Sequence, residues 1–194
     1  STRKESSAAS DVYKRQTLNQ ALHALLIKSA NDAAVAIAEH IGGSVEGFAD
    51  MMNEEAQAIG ATNSHFVNPH GLNAENHYVT AYDMYLIFNE ALKYDTVNEI
   101  ISMTSYDTVY TDKNGSEKTL SVKNTNQYLA GNVAAPDRVT VIGGKTGTTS
   151  AAGNCLILLA RDTSGNPYIA VILKSAERGI LYTEMNALLK QATS

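Results

Sequence analysis

Cysteine occurs once in the 194 residues, at Cys155. A single thiol excludes an internal disulfide and any multi-cysteine metal site, and it says nothing about the redox compartment. Positive charge is not in excess either. Fifteen Lys and Arg against 20 Asp and Glu give a formal net charge of −5, which leaves no basic footprint for nucleic acid or an anionic membrane surface. No apolar run reaches the length of a membrane span, and the first residues lack the basic-then-apolar plan of a secretory signal. No internal repeat is visible. What the chain does have is a 44% hydrophobic composition, enough to bury a core as one domain or as two lobes sharing an interface.

Residues 1–16 are polar and lack helical periodicity, so they read as a flexible or foreign leader, and residues 17–194 as the folding unit. From Thr17 the pattern changes. Leu18, Ala21, Leu22, Leu25 and Leu26 recur at helical spacing, and Thr17 with Gln20 forms a capping box. A second helix is expected over about Asp32 to His40, stopped by Gly42-Gly43. A third is expected over Ser44 to Gly60, with Phe48, Met51, Met52 and Ile59 inward. Residues 61–78 are rich in Asn, His, Pro and Gly and read as a loop, after which Thr80 and Asp83 cap another helix. The second half switches period. Asn114-Gly115 separates two short strands, Cys155–Ala160 and Tyr168–Leu173 form a second hairpin, and residues 177–190 close the chain as an amphipathic helix. The expected class is α+β: an antiparallel sheet flanked by helices, beside an all-helical lobe.

Two triplets carry possible chemistry: Ser29-Ala30-Asn31 between two helices, and Lys145-Thr146-Gly147 at the edge of the strand-rich half. From composition alone the first pattern arises by chance in about half of chains this long and the second in roughly one in twenty. Taken singly, Ser29 and Asn31 are ordinary helix-terminus residues, Lys145 a surface lysine and Arg178 a surface residue starting a helix. Together they suit acyl transfer. Such a site needs a hydroxyl to relay a proton, an amide to hold a substrate backbone, and a cation with a hydroxyl to hold a carboxylate. A glycine on the strand lets a substrate backbone approach and pair as an added edge strand.

His65, His70 and His77 share one loop but lack a helical ligand pair such as H-E-x-x-H, so no metal site and no cofactor is assigned. Cys155 reads as a small core residue, Met51-Met52 as core packing and Asp83 as a helix cap.

Six stretches in order resemble the D-alanyl-D-alanine carboxypeptidases, penicillin-binding serine peptidases with a β-lactamase/transpeptidase-like fold. They are 29–34, Phe66-Val67-Asn68-Pro69-His70-Gly71-Leu72, Thr80-Ala81-Tyr82-Asp83, Asn124-Thr125-Asn126, the Lys145-Thr146-Gly147 triplet and the longer Gly144–Gly153 run that contains it. The resemblance implies that Ser29 takes part in proton transfer, that Asn31 binds the substrate amide, and that Lys145 and Thr146 engage a terminal carboxylate. It further implies that Gly147 lines the substrate strand, that Thr148 lends its N–H to the oxyanion hole, and that Arg178 helps bind the carboxylate.

The implied reaction removes the terminal D-alanine from peptidoglycan stem peptides through an acyl-enzyme, in an exported, cell-envelope protein that β-lactam antibiotics inhibit. Nucleic acid is not an implied partner, and any membrane anchor would lie in segments outside this chain. One departure counts against activity. The family's Ser-x-x-Lys nucleophile motif precedes Ser-x-Asn by more than the 28 residues available here, and Ser1-Thr2-Arg3-Lys4 matches it only literally. The nucleophile is therefore expected upstream, and the chain as given is expected not to form an acyl-enzyme. A class A β-lactamase shares the triplets, but no Glu-x-x-Leu-Asn segment is present to hold a deacylating water. A non-catalytic homologue that binds stem peptides is the other alternative.

Overall fold

The structure is a computed structural model that describes residues 16–112 and 114–191. The expected leader lies outside the described residues apart from Gln16. Helix α1 spans Leu18–Lys28. The capping box forms as expected: Gln20 N–H donates to Thr17 Oγ1 at 3.2 Å, and Thr17 N–H donates to Gln20 Oε1 at 2.9 Å. Two of the orphan donors at the helix start are thereby satisfied. The helix ends at Ser29, whose φ of 60° and ψ of 45° place it in the left-handed region, with its N–H returning to the carbonyls of Ala24 and Leu25. Helix α2 (Asn31–Gly42) follows after two linking residues, Ser29 and Ala30. It is capped by Gly43 at φ 74°, a conformation that suits glycine.

Helix α3 runs over Val45–Ala58, with Ser44 Oγ accepting from Gly47 N–H at 2.9 Å. The expectation that Met51 packs inward fails, since it is 45% exposed. The buried stripe is formed instead by Ala49 and Ala56, two turns apart, and Met51 lies about 200° around the helix from Ala49. Phe48, Met52 and Ile59 are only half-buried on the flanks. Together α1 to α3 make the helical lobe, centred on Ala21, Ala24, Ala33 and Ile37.

Helices α4 (Ala81–Ala91) and α5 (Asp95–Ser102) lead into strands β1 (Ser105–Thr111) and β2 (Glu117–Lys123), which pair antiparallel as a separate two-stranded sheet. At their turn Asp112 Oδ1 accepts from the N–H groups of Asn114 and Ser116, and Gly115 takes φ 81°. Strands β3 (Val139–Thr149), β4 (Gly153–Asp162) and β5 (Pro167–Ser175) form a three-stranded antiparallel sheet in the order β3-β4-β5, and helix α6 (Arg178–Gln191) closes the described chain.

Strand β4 is buried continuously from Leu156 to Ala160 because both sheet faces are covered. Its side chains alternate. Leu156, Leu158 and Ala160 pack with Leu181, Tyr182, Met185 and Leu189 of α6, while Ile157 and Leu159 pack with Phe88 of α4 and Ile101 of α5. Fully burying each Leu contributes about 1.5–3 kcal/mol. Gly143 lets α5 press onto β3, since a Cβ there would sit 2.6 Å from the Ile101 carbonyl oxygen. The sheet thus holds β3 rigidly by one side and leaves its other side without a partner strand among the described residues.

Candidate active site

The site is assembled where the open edge of β3 meets the tight link between α1 and α2. Lys145 projects from β3 opposite Ile157 in the register. Its Nζ donates to Ser29 Oγ, 116 residues away in sequence, and to the Thr146 carbonyl at 2.6 Å. The left-handed turn at Ser29 aims this hydroxyl; a residue continuing the helix would point elsewhere. Burial disfavours the charged ammonium and pushes the Lys145 pKa down to about 8. At neutral pH the amine therefore stays mostly protonated, with about a tenth of it neutral, and a neutral amine accepts a proton from a hydroxyl.

Thr146 carries the second hydroxyl of the cluster. Its Oγ1 lies 2.5 Å from Thr125 Oγ1, on the loop joining β2 to β3. Gly147 is exposed and pairs with Cys155. A Cβ at Gly147 would be no closer than 3.8 Å to any neighbour, so nothing inside the fold requires glycine there. Thr148 is exposed, with its hydroxyl 3.4 Å from Asn154 Oδ1 across the ladder.

Asn31 is the first residue of α2 and exposed, two positions from Ser29 on the same turn. Arg178 opens α6 and is exposed. It lines an open cleft of about 390 Å³ with Gln127, Tyr182, Thr183 and Asn186. The cleft communicates with Thr146 through one loop: Thr125 meets Thr146, and Gln127 N–H donates to Tyr182 Oη at 3.0 Å. Of the residues singled out from sequence, Ser29, Lys145 and Thr146 form one connected cluster. Gly147, Thr148 and Asn31 flank it, and Arg178 stands at the end of the loop.

Two contributors were not singled out as site residues from the sequence. Thr125 is one, and its signal was present in the Asn124-Thr125-Asn126 stretch. The other is Asn73, whose side chain accepts from Thr149 Oγ1 at 2.7 Å and donates to Ser150 Oγ at 3.1 Å, clamping the 61–80 loop to the end of β3. Asp83 does more than start a helix. Thr80 caps its N–H at 3.0 Å, while its buried carboxylate accepts from Asn63 N–H at 2.8 Å and Ser64 Oγ at 2.7 Å, anchoring the same loop.

The loop histidines are committed to their own backbone. Val67 N–H donates to His77 Nδ1 at 3.0 Å, Leu72 N–H donates to His70 Nδ1 at 3.2 Å, and His65 Nδ1 lies 2.7 Å from the Asn76 carbonyl. Among the described residues no three His, Cys, Asp or Glu side chains gather as metal ligands. Cys155 is half-buried, with Sγ 3.4 Å from the Ala152 carbonyl.

The profile of one protein family, described as D-alanyl-D-alanine carboxypeptidase, matches residues 1–177. The D-alanyl-D-alanine carboxypeptidase DacF of Bacillus subtilis is 36% identical over 178 residues, covering 89% of this chain and 42% of that protein. The D-alanyl-D-alanine endopeptidase of Escherichia coli is 30% identical over 85% of this chain and 52% of that protein. The crystal structure of a Streptomyces DD-transpeptidase superposes with a TM-score of 0.81 at 28% identity, covering 90% of this chain and 66% of that one. The chain spans under half the length of the Bacillus relative. Its α+β architecture is that of the DD-peptidases. On the family match over residues 1–177, the chain belongs to the D-alanyl-D-alanine carboxypeptidase family.

Proposed function

We propose that this chain supplies the substrate-binding strand and the proton relay of a serine-type D-Ala-D-Ala carboxypeptidase, which removes the terminal D-alanine of peptidoglycan stem peptides through an acyl-enzyme. The observation that carries this reading is the meeting of Lys145 Nζ and Ser29 Oγ beside an open strand edge. A stem peptide would add as a strand along β3, using the space at Gly147 for its backbone. Its carboxylate would lie against Lys145 and the Thr146 hydroxyl, with Arg178 adding positive charge from the α6 side. The Asn31 amide would hold the peptide backbone, and the Thr148 N–H would donate to the developing oxyanion.

In the acylation step the nucleophile's Oγ bonds to the carbonyl carbon while its proton leaves to a lysine base. Collapse of the intermediate expels the D-alanine amine, which must take up a proton. Ser29 gives its hydroxyl proton to that amine and is reprotonated from the lysine ammonium, so the relay ends with no net change in Ser29. Water then attacks the ester and restores the nucleophile. We assign the nucleophile and its base to a Ser-x-x-Lys segment of the whole protein. No such pattern occurs in residues 16–191.

Stem peptides lie outside the cytoplasmic membrane, so the proposed place of work is the cell envelope, and β-lactams, as acylating mimics of the substrate, are the proposed inhibitors. No described helix is long and apolar enough to cross a membrane. The reading is tested by labelling the whole encoded protein with a fluorescent penicillin. Covalent labelling that falls at least tenfold in rate in Lys145→Ala supports it. A protein that binds stem peptides yet never labels is a binding homologue.

A further inference from the structure

The loop after β2 is braced to an unusual degree around one small side chain. Asn124 and Asn126 are both buried. Asn124 Nδ2 donates to the Met103 carbonyl at 2.8 Å, Asn126 N–H donates to Asn124 Oδ1 at 2.9 Å, and Tyr128 N–H donates to Asn126 Oδ1 at 3.1 Å. Between them Thr125 N–H donates to the Ile27 carbonyl of α1 at 3.3 Å, and its own carbonyl accepts from Gln127 Nε2 at 3.2 Å. The backbone of Thr125 is thus tied to the helix that ends in Ser29. Its hydroxyl meets Thr146 Oγ1 at 2.5 Å.

A hydroxyl has one proton to give and a carboxylate can only accept. For Thr146 to donate to a ligand carboxylate, it must accept from Thr125, and the Thr125 proton is then spent on Thr146. In the reverse orientation Thr146 donates to Thr125 and turns its lone pairs toward the ligand, which repels an anion. Hydrogen bonds in such a chain polarise one another, so the first strengthens the second.

We propose that Thr125 is a positioning residue that fixes the proton direction of the Thr146 hydroxyl, and thereby makes the β3 edge selective for a ligand's free terminal carboxylate over a neutral terminus. This rests on the reading of Thr146 as a carboxylate-binding group, and it adds a residue and a basis for selectivity to that reading.

The test is calorimetric titration of the whole encoded protein with N-acetyl-D-Ala-D-Ala and with the same peptide as its C-terminal amide, each variant's folding being checked by its melting curve. The wild-type protein should bind the acid more tightly than the amide. Thr125→Val should weaken the acid about three- to tenfold, the range expected for one lost hydrogen bond, and leave the amide unchanged, so that the preference collapses. Thr125→Ser, which keeps the hydroxyl, should restore it, and Thr125→Ala repeats the test if the valine variant does not fold. A Thr125→Val protein that keeps the wild-type preference, or that loses acid and amide equally, overturns the inference while leaving the carboxylate reading intact. A wild-type protein with no preference for the acid overturns the carboxylate reading itself, and the inference with it.

Discussion

Lys145 and Ser29 meet side chain to side chain across the junction between the edge of the sheet and the link from α1 to α2. The contact ties together the two halves of the fold, and it holds a buried amine whose pKa has fallen to about 8 from an ordinary 10.5.

Stability should report that shift directly. Between about pH 8 and the ordinary value of 10.5 the unfolded chain binds a proton at Lys145 that the folded chain lacks, so stability rises with pH across this window. Below pH 8 both states carry the proton and the folded state bears the full cost of burying it. Urea unfolding at a series of pH values should show a positive slope in the wild type and a flatter one in Lys145→Met. Equal slopes would remove the buried-amine account.

Two glycines of β3 should answer oppositely to substitution. At Gly147 an added Cβ has open space, its nearest neighbour being 3.8 Å away. Gly147→Val should therefore leave stability within about 0.5 kcal/mol of wild type and cut binding of a D-Ala-D-Ala peptide by at least tenfold. At Gly143 the Cβ would sit 2.6 Å from the Ile101 carbonyl oxygen, and Gly143→Ala should cost about 1–3 kcal/mol. Chemical unfolding of both, with peptide titration of the first, separates a strand kept open for a ligand from one closed by packing.

Acidification should loosen the 61–80 loop. His70 and His77 each accept a backbone N–H at Nδ1, and protonation turns that nitrogen into a donor, breaking the bond. Burial lowers both pKa values from the ordinary 6.5. Asp32 partly opposes this at His70, and His70 and His65 add to it at His77. The unfolded chain then binds more protons just below pH 6.5, so this component of stability is present above 6.5 and is lost as pH falls toward the lowered values. Amide exchange at Val67 and Leu72, corrected for intrinsic rates, should accelerate over that range, and a His70→Asn/His77→Asn double variant should not respond.

Much of the architecture is legible in local patterns. The Thr17–Gln20 box, the Ser44 and Thr80 caps and the hairpin around Gly115 are short-range devices, and the structure contains each of them. Features set by tertiary contact were harder to read. Strand β3 was visible only as a motif, because Gly143, Gly144 and Gly147 dilute its strand signal. Helix α5, eight residues long, is too short for its pattern to show a period. Large apolar residues dominate helical patterns and point Met51 inward, whereas close helix packing uses the small faces of Ala49 and Ala56. At the site, Lys145 and Ser29 were identified through their motifs, but their direct contact spans 116 residues and no sequence period encodes it. Thr125 and Asn73 act through side-chain contacts from irregular loops, where periodicity is silent.

The most direct test of the account is the release of D-alanine from N-acetyl-L-lysyl-D-alanyl-D-alanine by the whole encoded protein, compared with its Ser29→Ala and Lys145→Ala variants. The account predicts turnover by the wild type and a loss of at least a hundredfold in kcat/KM in each variant, about 2.7 kcal/mol of transition-state stabilisation. Folded variants that release D-alanine at the wild-type rate would contradict it.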